Sequence, residues 1–137
     1  MKKVAADHFM AMFTANNNVV LMNIDSDGEI AWEKTYGGRE SDVAQDLVQT
    51  LDGQYVLLSN TSSFGNGGLD VMLTKIDTEG NAVWKKVYGS ASSDQGGKLV
   101  ELSNGDLVVM GNSNEGSSSN SHYDLFLLKT DSEGVPK

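Results

Sequence analysis

The sequence predicts an all-β chain built from four-stranded antiparallel repeats, and three observations carry that prediction. Fifteen glycines stand against one proline, the balance of a chain that turns often and tightly. One motif returns at an offset of 52 residues. No stretch holds a helical period, while short apolar runs alternate with turn residues throughout.

The repeat is read from Ile24-Asp25-Ser26-Asp27-Gly28, with Trp32, Lys34, Tyr36 and Gly37 behind it. It comes back as Ile76-Asp77-Thr78-Glu79-Gly80 with Trp84, Lys86, Tyr88 and Gly89. The same offset carries Ser41-Asp42 onto Ser93-Asp94 and Asp52-Gly53 onto Asn104-Gly105. A third copy of the turn, Asp131-Ser132-Glu133-Gly134, is displaced by two residues more, which a loop between Asn112 and Asp124 absorbs at little cost. One domain over 1–137 is expected, with an abbreviated repeat at about 1–37, a second at about 38–89 and a third at about 90–137 that lacks its last strand.

The full unit is laid out in the second copy. Residues 44–51 form a first strand, and Asp52-Gly53 turns the chain into a second at 55–59. A polar, glycine-rich loop over 60–68 leads to a third strand at 70–76, and Asp77-Thr78-Glu79-Gly80 feeds a fourth at 82–88. In the first copy, 9–15 and 19–24 serve as second and third strands. Residues 2–6 are either a stub of the first strand or a displaced fourth, since Met1-Lys2-Lys3-Val4 copies Trp84-Lys85-Lys86-Val87. Tyr55-Val56-Leu57-Leu58 and Val71-Met72-Leu73 are apolar on both faces and need a layer above and below. Four-stranded sheets stacked radially provide those layers, so the expected architecture is β-propeller blades, about 2.7 per chain, as a partial propeller. Trp32 and Trp84, with Tyr36 and Tyr88 four residues on, are placed to seal the groove between blades.

The pattern Lys75-Ile76-Asp77-x-x-Gly80-Asn81-x-x-Trp84-x-Lys86-x-Tyr88-Gly89, followed by Asp94 and the 104–109 hairpin, resembles a bacterial secreted and cell-surface β-propeller repeat family. The resemblance covers nearly the whole chain from about Val19 and implies an extracellular or cell-surface location, with an adhesion, scaffold or glycan-related role. It carries no catalytic set. Arrays of that family close a ring, whereas about two and three-quarter blades leave two faces open. A homodimer completing a six-bladed propeller is the simplest remedy.

Charge and composition narrow the partners. A net charge of −9 repels phosphate backbones and anionic lipid, so nucleic acid and membrane surfaces are poor partners, and apolar runs such as Tyr55-Val56-Leu57-Leu58 are far too short for membrane insertion. Without cysteine there is no disulfide, no thiolate nucleophile and no cysteine zinc site. Met1-Lys2-Lys3 imitates the start of an export signal, but Asp7 and His8 interrupt the apolar stretch, so no signal peptide is expected in this chain.

Candidate sites are few. Asn23-x-Asp25-x-Asp27-Gly28-x-Ile30 matches the opening of a calcium loop, making Asp25 and Asp27 candidate metal ligands. The acid required at the twelfth position is replaced by Lys34, and Lys75 and Lys129 stand where the other copies would place the first ligand. A hairpin turn in which Asp bonds backbone amides explains the same residues more simply. Asp42 and Asp94 begin equivalent strands after polar loops, as ligand-binding carboxylates or repeated turn residues. Trp32 and Trp84 are sugar-stacking platforms or packing residues. His8 and His122 show no metal spacing. No Gly-x-Ser-x-Gly elbow occurs, and Gly65-Asn66-Gly67-Gly68 lacks the Lys-Ser/Thr of a phosphate loop. The expected function is therefore a non-catalytic binding or scaffolding module without a cofactor, binding protein or glycan through loops on one face. A purely structural repeat and a carboxylate-dependent hydrolase are the alternatives.

Overall fold

The computed structural model describes residues 2–5, 8–114 and 123–137. His122 and most of the 111–121 tract fall outside them. The chain is all-β: eleven strands form three antiparallel sheets, with no helix among the described residues. The first sheet holds β1 (Lys2–Ala5), β2 (His8–Ala15), β3 (Asn18–Asp25) and β4 (Ile30–Tyr36) in sequential order. The second holds β5 (Asp42–Gln49), β6 (Tyr55–Thr61), β7 (Asp70–Ile76) and β8 (Ala82–Tyr88). The third holds β9 (Asp94–Glu101), β10 (Leu107–Ser113) and β11 (Asp124–Thr130).

Within each sheet, hydrogen-bonded neighbours are consecutive in the chain, so the sheets are antiparallel meanders built from contacts local in sequence. The hairpin registers repeat as well. Phe9 faces Ile24, Tyr55 faces Ile76, and Leu107 faces Thr130. Several strand boundaries differ from the expected ones, most of all in the second sheet. The first strand of the second sheet begins at Asp42, because the Asp42 amide already bonds the Asn17 carbonyl across the sheet junction. It ends at Gln49, because Thr50 closes the turn through its amide to Gln54. The second strand runs on through Asn60 and Thr61, polar residues that are buried and paired with Val71 and Asp70. The N-terminal stub takes the first-strand place, with Lys2 opposite Met10 and Lys3 opposite Phe9. At the other end Thr130 bridges Pro136, the register that starts β8 on β7.

The sheets pack in series. Leu47, Tyr55, Leu57 and Ile76 of the second sheet meet Met10, Val19 and Leu21 of the first. On its opposite side Val56, Leu58, Val71 and Leu73 meet Leu99, Leu107 and Val109 of the third. β6 and β7 are accordingly buried along their whole length, as strands with a layer on each face must be. Each such aliphatic side chain contributes about 1.5–3 kcal/mol when fully buried.

Candidate functional site

The two ends of the sheets differ in chemistry. At one end the loops are rich in Ser, Asn and Gly, and backbone hydrogen bonds tie them together. Ser62 N–H donates to Ser41 O, Gly68 N–H to Ser92 O, Asp94 N–H to Leu69 O, and Asn114 N–H to Ser93 O. Asp42 and Asp94 stand on this rim, both buried. One carboxylate oxygen of Asp42 accepts from the Gly38 amide and the Ser63 hydroxyl, each at 2.7 Å. Asp94 repeats the arrangement, accepting from the Ser90 amide at 2.7 Å and the Ser90 hydroxyl at 2.9 Å. Both carboxylates hold the loop that precedes their own strand.

A third carboxylate joins them. Asp70 is buried at the start of β7 and accepts from the Asn66 amide at 3.0 Å. Burial pushes its carboxyl up, and the charge of nearby Asp94 adds to the rise. Burial would also lift Asp94, but hydrogen bonds from Ser113 and Ser90 bring it below the ordinary carboxylate range. Asp70 was not among the sequence candidates. The signal was present in the recurrence of Asn18, Asp70 and Asp124 at the opening of each third strand.

Beside Asp94 the second and third sheets leave a groove of about 460 Å³. Asp94, Ser90 and Ser113 form its polar wall, and Tyr88, Phe126 and Leu128 its apolar one. That volume lies within the range of small-ligand sites, and its mixed lining pairs hydrogen-bonding groups with aromatic faces.

The structure separates the other candidates from this groove. Asp25 ends β3 and Asp27 follows in the turn, roughly 23 Å of strand away from the rim. There one Asp25 oxygen accepts from the amides of Asp27 and Glu29 at 3.0 and 2.9 Å. Asp77 and Asp131 make the same pair of bonds to Glu79 and Asn81, and to Glu133 and Val135. Asp27 itself is exposed. Among the described residues no three His, Cys, Asp or Glu side chains converge as a metal would require. His8 pairs with Asn23 at 3.1 Å.

Trp32 and Trp84 are half-buried and lie between sheets. The ring of Trp32 rests against Gly80 in the turn of the following sheet, and the ring of Trp84 against Gly134. A Cβ at Gly80 would stand 3.0 Å from the Trp32 ring, so the close approach needs glycine as much as the positive φ of 80° does. Tyr36 and Tyr88 complete the contact by donating their phenols to the carbonyls of Gly80 and Gly134, at 2.8 and 2.6 Å. One face of each edge strand is thus spent on the neighbouring sheet.

No protein-family model matches the chain, and no curated protein matches it closely enough to suggest a family.

Proposed function

We propose that the chain is a non-catalytic binding or scaffolding module of the bacterial secreted or cell-surface β-propeller repeat type. In this reading its three sheets are blades, about 2.7 of a larger ring that two copies of the chain would complete. The ligand, protein or glycan, is held through the loops of the Ser- and Asn-rich rim. The observation that carries the reading is the groove at Asp94, where one carboxylate and two serines face Tyr88 and Phe126. Sugars are recognised by this combination, with hydroxyls bonded to polar side chains and the apolar ring face laid on an aromatic one.

The opposed shifts of Asp70 and Asp94 favour one alternative, a carboxylate-dependent hydrolase, because paired acids with divergent proton affinities suit acid–base work. Both groups are buried and already bonded to their own loops, which supports a holding role instead. A glycan array and a hydrolase panel separate the readings. A binder gives an array signal that Asp94→Asn weakens at least several-fold, while Asp42→Asn, outside the groove, leaves it intact. Turnover lost in Asp94→Asn would establish the hydrolase, and a blank array with folded protein would remove the rim-binding reading.

A further inference from the structure

The repeat makes each position of the third sheet comparable with one in the second, and the comparison isolates a surface. In the second sheet Leu58, Val71 and Leu73 are 0–1% exposed because the third sheet covers them. Their register equivalents in the third sheet, Met110, Leu125 and Leu127, are 49%, 84% and 72% exposed. Val100, the equivalent of Val48, is exposed beside them. Among the described residues nothing covers this face. A contiguous apolar face of this kind on a sheet marks a docking surface.

The chain also carries the matching half. The face that the second sheet turns to the first is built from Leu57, Tyr55 and Ile76. At the register equivalents in the first sheet stand Ala11, Phe9 and Ile24, with Phe13 exposed beyond them. These side chains point away from the second sheet, because Met10, Val19 and Leu21 on the other face meet it. One end of the stack therefore presents the surface that receives a following sheet, and the other presents the surface that is received.

We infer that the outward face of the third sheet docks the outward face of the first sheet of a second copy, head to tail. The junctions inside one chain show the chemistry of the contact: aliphatic side chains of one sheet laid into those of the next. Such a contact is heterologous, joining two different patches, and with two copies it closes on itself through two identical junctions. The inference rests on the reading of the sheets as stacking repeats and is independent of any ligand at the rim.

Sedimentation equilibrium across micromolar concentrations tests it with two variants. Leu127→Lys blocks the face of the third sheet and Phe13→Lys that of the first. Both positions are exposed, so the variants fold. The wild type is expected at twice 14.7 kDa, and each variant alone should show a loss of dimer of at least tenfold in association constant. Mixed, the two variants should recover a one-to-one complex, because each keeps the face the other lacks. A wild type that stays monomeric while folded would overturn the inference, and so would a Phe13→Lys variant that still dimerises, since the third sheet would then pair with itself. Glycan binding retained by such a monomer would leave the rim reading standing, and a blank array on a proven dimer would remove only that reading.

Discussion

The carboxamide of Asn60 holds the backbone of Gly96 from both sides, accepting from its amide at 2.8 Å and donating to its carbonyl at 3.2 Å. The two residues belong to different sheets, and both are buried. Gly96 takes this place because an added Cβ would stand 2.8 Å from Leu58. In the preceding junction the Thr14 hydroxyl oxygen accepts from the Ala44 amide at 3.0 Å, at the equivalent position. A polar side chain near the end of each second strand thus fixes the height at which the next sheet docks.

Asn60→Ala strands a buried amide and a buried carbonyl of Gly96. The expected loss is about 1–3 kcal/mol, read from the midpoint of a urea melt. Asn60→Asp, which would bury a carboxylate against the Gly96 carbonyl, should cost at least as much as Ala at neutral pH. An Asn60→Ala melt superimposable on the wild type would show that the junction is set by apolar packing alone.

The tyrosines of the edge strands give an alkaline signature. Burial, with the charge of Asp131 added, pushes the Tyr88 phenol up from 10.0 to about 12, and burial with Asp77 raises Tyr36 further. A raised phenol is stabilised as the neutral form in the folded state. Its contribution is present below pH 10.0 and is lost as pH rises through about 12. Tyr88→Phe and Tyr36→Phe should each cost about 0.5–1.5 kcal/mol at neutral pH through the lost bond to a turn carbonyl. Phenolate absorbance should show these two tyrosines ionising well above the ordinary phenol value of 10.0.

Acid should loosen the far end of the sheets. Burial by itself would lift the Asp52 carboxyl, but bonds from Lys75, Thr50 and the Gln54 amide bring it from 3.8 to about 2. Hydrogen bonds from Lys137 and Lys129 hold Asp106 well below the carboxylate range. Both groups favour the folded state above the ordinary carboxylate pKa, and that stability drains away as pH falls toward about 2. Asp52→Asn should flatten this acid limb and leave the buried Lys75 ammonium without its 2.7 Å partner. Asp52→Asn with Lys75→Met should be more stable than Asp52→Asn alone, since the unpaired charge is gone. Urea melts at about pH 7 and about pH 3 measure both effects.

Trp32 and Trp84 should behave as packing residues. Each is half-buried, so replacement by Ala is expected at the lower end of the roughly 3–5 kcal/mol cost of emptying a buried aromatic site. The glycine beneath makes a sharper comparison. Gly80→Ala and Gly28→Ala share the strain of a positive φ, but only at Gly80 would the new methyl meet Trp32 and Lys34. Gly80→Ala should therefore cost more than Gly28→Ala by about 1 kcal/mol or more. Equal costs would mean that the ring moves freely aside.

What the sequence determined by itself was everything local: strand type, turn position and the repeat. Asp-x-x-Gly closes a hairpin because an Asp oxygen reaches two amides within four residues, and such a contact needs no partner from elsewhere. Alternation and turn chemistry therefore placed strands such as Asp70–Ile76 and Ala82–Tyr88 to the residue. The β5 boundary differs because the bond that starts the strand comes from Asn17, in the β2–β3 turn of the first sheet. In sequence Asn60 reads as a loop residue, and nothing singles out Gly96. The two meet across a junction, 36 residues apart, and no local pattern encodes that distance. Only the tertiary structure separated Asp25 from Asp42 and Asp94, put Asp70 beside Asp94 and opened the groove there. It alone showed that Leu125 and Leu127 repeat a buried pair in the open, because burial depends on what lies against a face and not on the residues that form it.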